Sequence, residues 1–107
     1  MRKRQTIIIF ITASSEQEAR NIAATLVEKK LVACVNIIPK IHSIYWWEGK
    51  VCQADEVMLI SKSTHALFPR IRDCIKSLHS YQVPEIISFP ISDGLPEYIK
   101  WIEEVTQ

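Results

Sequence analysis

Three histidines and three cysteines are the residues of this 107-residue chain best suited to soft-metal chemistry. Copper and zinc favour imidazole and thiolate donors, so His42, His65, His79, Cys34, Cys52 and Cys74 form the first inventory. Position narrows it. Cys34 falls in a β-branched apolar run and Cys74 on the apolar stripe of an expected helix, so both read as packed core residues. Cys52 follows an expected hairpin turn, where an exposed thiol meets adventitious metal or oxidant. His42 and His65 have no partner at helix or strand spacing and read as structural or solvated. His79 is the metal-ligand candidate: it closes an apolar helical stripe where a loop begins and side chains converge. The same position suits a helix C-terminal cap, where a cation is favoured by the backbone dipole.

Lys62, Tyr81, Glu85 and Trp101 form a second set. An ammonium, a phenol and a carboxylate beside an indole suit an anionic or zwitterionic small molecule in a cleft, gathered between subunits from strand ends and a loop. The alternative is a Lys62–Glu85 salt bridge between subunits, with the rings as packing. Catalytic signatures are missing: there is no GxSxG, HExxH, P-loop or Rossmann glycine pattern. With only Gly49 and Gly94 present, a glycine-rich phosphate cradle is excluded. A Cys74–His79 nucleophile pair would draw its thiol from a core stripe, where it stays protonated. A binding protein and not an enzyme is expected.

The elements that must position these groups follow from composition and periodicity. Hydrophobic residues make up 48% of the chain, which is the sign of an ordered, globular sequence. One domain over residues 1–107 is expected, burying roughly 60–70% of the unfolded surface. Thirteen basic against 12 acidic residues give a net charge of +1, too weak a field for non-specific nucleic-acid binding. The Arg2-Lys3-Arg4 run precedes an apolar stretch too short for a signal peptide, and no run approaches the ~20 apolar residues of a membrane span. Three cysteines without CxxC spacing argue against a disulfide framework, and a cytoplasmic location without membrane contact is expected.

Residues 5–12 form an unbroken β-rich run, expected to be a central strand buried on both faces. Ser15 with Glu18 is a capping-box signature. It opens a helix whose apolar stripe is Ala19, Ile22, Ala23, Leu26 and Val27. Residues 32–47 and 51–62 read as two long strands joined by a turn at Glu48-Gly49-Lys50, with Pro39 marking a bulge or bend. A hairpin of that length projects beyond its own core and exposes Tyr45, Trp46 and Trp47, which read as subunit-interface anchors. Ser63 or Thr64 is expected to cap a second helix striped by Leu67, Phe68, Ile71, Cys74, Ile75 and Leu78. A loop from His79 to Pro84, a strand over 85–90 and a last helix packing Tyr98, Ile99, Trp101 and Ile102 complete the chain. The order βαββαβ plus a helix predicts an α+β, ferredoxin-like sandwich with one sheet face bare, which a partner subunit would cover.

Several motifs in order then carry a resemblance. Ala33-Cys34-Val35-Asn36-Ile37-Ile38-Pro39, the hairpin tip Ser43-Ile44-Tyr45-Trp46-Trp47-Glu48-Gly49-Lys50, Glu56 and Lys62 on the returning strand, the loop His79-Ser80-Tyr81-Gln82-Val83-Pro84-Glu85-Ile86, and the closing helix Tyr98–Ile102 resemble the CutA family nearly end to end. The resemblance implies a ferredoxin-like homotrimer in which long hairpins pack on neighbouring subunits. It also implies a role in tolerance of copper and other divalent cations, with no obligatory cofactor. The family's copper-associated pattern pairs a histidine at position 79 with one before it and a first-strand cysteine. This chain has Leu78 and Ile11 in those places. The trimeric architecture is also similar to that of PII signalling proteins, which implies the alternative of a sensor or adaptor that binds a small anionic metabolite at subunit clefts.

Overall fold

The computed structural model describes residues 4–106; Arg2 and Lys3 of the N-terminal basic run lie outside the described residues. Strand β1 (Thr6–Ala13) carries the β-branched run, whose alternate side chains must point to opposite faces. Ile7, Ile9, Ile11 and Ala13 are fully buried on one face, while Ile8 and Phe10 are half-buried on the other. Helix α1 (Glu16–Glu28) begins where Ser15 Oγ accepts the Glu18 N–H at 3.1 Å. The reciprocal arm of the expected capping box reaches one residue further back: Glu18 Oε1 accepts the Ser14 N–H at 2.9 Å. Ala19, Ile22, Ala23 and Leu26 face the sheet, but Val27 does not share that stripe and is exposed.

Strands β2 (Cys34–Trp47) and β3 (Lys50–Thr64) form the long hairpin. Glu48 and Gly49 both adopt positive φ, 51° and 78°, between the paired residues Trp47 and Lys50. Two left-handed residues in a two-residue loop make a type I′ turn, whose twist matches that of the flanking strands. A single register shift interrupts the ladder: Ile38 pairs with Met58, and the next pair is Ile41 with Glu56. Pro39 and Lys40 thus oppose one residue, a bulge placed where proline cannot donate.

Helix α2 (Phe68–Leu78) follows a single 3-10 turn, His65–Leu67, and holds Pro69 in its first turn, where no N–H is missed. Neither expected cap operates. Ser63 is a buried β3 residue whose Oγ donates to the Leu31 carbonyl, and Thr64 makes no side-chain capping bond. Strand β4 (Ile86–Pro90) and helix α3 (Pro96–Val105) complete the fold. The sheet order is β2-β3-β1-β4 with every neighbouring pair antiparallel, the ferredoxin-like arrangement. Ile22 and Leu26 of α1, with Ile71 and Ile75 of α2, pack on Ile7, Ile9, Ile11, Val57 and Leu59 to form the core.

The second sheet face is not bare, as the sequence pattern suggested, but covered at one end by α3. Tyr98 Oη lies 3.8 Å from Cys34 Sγ, and Cys34 pairs with Lys62, which pairs with Ile8. These residues share the face turned away from α1 and α2. Ile102 is fully buried there, whereas Tyr98 and Trp101, expected to pack, stay substantially exposed. Elsewhere the face shows Ile38, Ile87 and Phe89 to solvent, with the Phe10 and Phe89 rings edge-to-face at 5.2 Å. Among the described residues no helix is long and apolar enough to cross a membrane.

Candidate functional site

A cleft of about 700 Å³ opens between the hairpin and the loop that joins α2 to β4. Tyr45 and Trp47 of β2, Glu56 of β3, and Tyr81 and Glu85 of the loop give it its chemistry. The bulge determines which β2 side chains enter. Beyond it, odd-numbered residues share a face with Glu56, so Tyr45 and Trp47 turn toward the cleft and Trp46 projects from the other side. Trp46 is the most exposed of the three, at 74%.

The loop is fixed from beneath by His79 and Glu18. His79 caps α2, its backbone N–H bonding the Ile75 carbonyl at 2.9 Å, and its side chain is fully buried. Nε2 lies 2.7 Å from the Thr12 carbonyl and must donate to it, while Nδ1 accepts the Tyr81 backbone N–H at 3.0 Å. Both ring nitrogens are therefore spent within the chain, which defines one neutral tautomer. The cationic helix cap suggested by position alone is replaced by a neutral one. Glu18 receives the Ser14 N–H and Oγ on Oε1, and the Ser80 N–H on Oε2 at 2.7 Å. Burial works against its charge, yet these donors from Ser14 and Ser80 prevail and lower its pKa to about 2.

So anchored, the loop presents Tyr81 to Glu56. The phenol donates to Glu56 Oε2 at 2.8 Å, and the Tyr81 ring leans on the His79 ring with centroids 4.8 Å apart. Burial, then the bond to Glu56, raises the Tyr81 pKa, so the phenol keeps its proton. Burial and the neighbouring charge of Glu56 also raise the Glu85 pKa. Glu56 is only 8% exposed, although the sequence offers it merely as a charged residue of the returning strand. Alternation along a strand reveals a residue's face but not its depth. Glu18 reads from the sequence as a local cap, since no local signal reveals a bond to a residue far along the chain.

Of the four cleft residues expected from sequence, the chain brings Tyr81 and Glu85 together and places Lys62 and Trp101 elsewhere. Lys62 bonds Asn36 Oδ1 across the β2–β3 ladder. It pairs with Ile8, whereas Glu85 precedes the Ile86–Ile11 pair, so the two lie about 13 Å apart along the strands. Trp101 stacks at a tilt on Tyr98 in α3, their centroids 5.4 Å apart. No Lys62–Glu85 salt bridge forms within the chain among the described residues.

The metal inventory is equally dispersed. His42, expected to be structural or solvated, sits on the outer hairpin with Nδ1 3.0 Å from Asp55 Oδ1 and Nε2 2.7 Å from Gln53 Oε1. Two oxygen acceptors call for two N–H donors, and these bonds, Asp55 first, raise its pKa. Cys34, Cys52 and Cys74 are free and partly buried. Among the described residues no three of the His, Cys, Asp and Glu side chains converge as a cation-binding group. The donors of a single chain do not fit a closed copper or zinc site, and His79 enters one only by releasing the Tyr81 N–H.

Comparison with known proteins places these features in a family. The family model described as "CutA1 divalent ion tolerance protein" matches residues 7–105. The "Divalent-cation tolerance protein CutA" of Archaeoglobus fulgidus is 48% identical over 99 residues, covering 92% of this chain and 96% of that one. Its Thermus thermophilus namesake is 46% identical with the same coverage. The solved structure of the divalent cation tolerance protein (Cut A1) from Thermus thermophilus superposes with a TM-score of 0.94 at 45% identity, covering 95% of this chain and 99% of that one.

Proposed function

The chain belongs to the CutA1 divalent ion tolerance family, and from that premise we propose that it serves divalent-cation tolerance as a homotrimeric binding protein, with copper the foremost cation. The observation that carries this reading is the family match over residues 7–105. Assembly is supported by the hairpin, which exposes Tyr45, Trp46, Trp47, Ile44 and Val51 together. Large apolar groups concentrated on one projection are stable in water when a neighbouring copy covers them. Since one chain converges no three donors among its described residues, the metal in this reading is held by donors from more than one subunit. The role is binding, not catalysis, and the three free thiols suit the reducing cytoplasm.

The test joins sedimentation velocity to titration of the reduced protein with Cu(I), Cu(II) and Zn(II). The expected result is a trimer that binds metal saturably at a whole-number ratio, with both properties lost in Trp46→Glu. A monomer at all concentrations, or no saturable binding, overturns the proposal. His79→Ala identifies donors: loss of binding with an unchanged circular dichroism spectrum assigns His79, and retention assigns other groups.

A second reading, a PII-like sensor or adaptor for a small anionic metabolite, is favoured by the size of the cleft, which suits a small molecule. Lys62 would then reach it from a neighbouring subunit. Thermal stabilisation by a metabolite, lost in Lys62→Ala, is the result this reading requires.

A further inference from the structure

A second, smaller cavity of about 190 Å³ lies between the start of β1, the turn after β4 and the side of α3. None of its lining residues belongs to the β2–β3 hairpin. Thr6 pairs with Thr64, the last residue of β3, so the whole strand, about 45 Å long, separates the cavity from the hairpin tip. Burial of the projecting arm against a neighbouring copy therefore leaves this lining unchanged. Arg4, Asp93 and Glu103 bring one positive and two negative charges to it from three separate segments. Among the described residues they form no salt bridge with one another. Gln5 Nε2 donates to the carbonyls of Thr6 at 3.0 Å and Ile91 at 3.1 Å, which ties β1 to the turn and leaves Oε1 as an acceptor. Thr6 lies on the α3 side of β1 and is only 4% exposed, yet its hydroxyl has no hydrogen-bond partner among the described residues. Buried hydroxyls are nearly always bonded, so this one is left for a group inside the cavity.

From this we infer that the cavity takes a small zwitterion, an α-amino acid no larger than serine. A guanidinium receives a carboxylate through two parallel N–H bonds, which assigns the ligand carboxylate to Arg4. An ammonium has three donors, which Asp93, Glu103 and the neutral oxygens of Gln5 and Thr6 can accept. A simple anion would meet two carboxylates, and a simple cation would meet Arg4. Only a ligand that carries both charges answers both. Size sets the upper limit, since such a volume holds about six water molecules, and thus a ligand of about six or seven non-hydrogen atoms. The inference goes beyond the divalent-cation reading and does not depend on it.

The experiment is titration of the full chain, in its native assembly, with L-alanine, followed by two-dimensional amide NMR. Propionate and ethylamine are controls that carry one charge each, and L-leucine is the control for size. Saturable shifts of the Thr6, Asp93 and Gly94 amides are expected with alanine, with each control at least tenfold weaker. Arg4→Gln and Asp93→Asn, both at exposed positions, should each weaken alanine binding at least fivefold while the rest of the spectrum stays native. The inference is overturned by an absence of saturable shifts at those amides, or by any control binding as tightly as alanine. Affinity unchanged in both variants overturns it as well.

Discussion

Glu18 Oε2 accepts the Ser80 backbone N–H at 2.7 Å, joining the first turn of α1 to the loop that walls the cleft. The same carboxylate holds Ser14 through Oε1, so one side chain closes the gap between β1, α1 and the loop after α2. The residue nearest the cleft chemistry, Tyr81, is thereby placed by a side chain that does not line the cleft.

Replacing Glu18 with glutamine keeps the shape but substitutes an N–H donor for one acceptor oxygen. An amide facing the Ser14 or Ser80 N–H leaves a donor unsatisfied, which costs about 1–3 kcal/mol. The expected result for Glu18→Gln is a lower urea midpoint with unchanged m-value. Faster amide exchange at Ser80 and Tyr81 should accompany it. Unaltered exchange at those amides would show that the loop is held by His79 alone.

Acid should act through the same group. The folded pKa of Glu18, about 2, lies below its usual 4.5. Its contribution is thus complete above pH 4.5 and is lost as pH falls toward 2, because the unfolded chain binds the proton first. Allowing for solvent screening, the amount is about 2 kcal/mol. Stability measured between pH 5 and pH 2 should fall less steeply in Glu18→Gln than in the parent chain.

The hairpin turn offers a contrast between two glycines. Gly49 has φ of +78° and open space around a would-be Cβ, so Gly49→Ala is strained without a clash and should cost about 1 kcal/mol. Gly94→Ala would instead place its Cβ 2.8 Å from Ile99 Cδ1 and 3.0 Å from Ile99 Cγ1, so the Ile99 side chain must shift to admit it and the cost is steric. Glu48→Asn, which eases the other left-handed residue, should stabilise by a few tenths of a kcal/mol. Denaturant unfolding of the three variants gives the order.

His42 should titrate above its usual 6.5, because the charged ring bonds Asp55 and Gln53. Two-dimensional NMR of the imidazole protons checks this directly, and Asp55→Asn should return the midpoint toward 6.5. A raised folded pKa means that the pairing supports the hairpin fully below pH 6.5. That support is lost as pH rises through the folded value.

Periodicity made much of this fold legible. The runs of isoleucine in β1 and the apolar stripe of α2, Phe68 to Leu78, announce themselves because burial repeats every two or about 3.6 residues. Pro39 marked its bulge and Gly49 its turn because each has one conformational property that few other residues share. Tyr81 and Glu85 were legible as cleft residues. Lys62 joins them in the sequence by residue type and by its place near a strand end, as a group from a neighbouring subunit; within one chain strand pairing separates it from Glu85, and pairing partners are fixed by tertiary register. The two spent nitrogens of His79 were invisible for the same reason, since Thr12 reaches it only after the chain has folded back.

The bulge at Pro39 and Lys40 has an evolutionary corollary. One residue too many in β2 acts as a phase slip: it decides which member of each adjacent pair in Ile44-Tyr45-Trp46-Trp47 points inward. Deleting Lys40 would restore even pairing and exchange the two sides of the projecting arm, bringing Ile44 and Trp46 to the face now held by Tyr45 and Trp47. A lineage can therefore retarget its aromatic arm by a single codon gained or lost, without rewriting one aromatic residue.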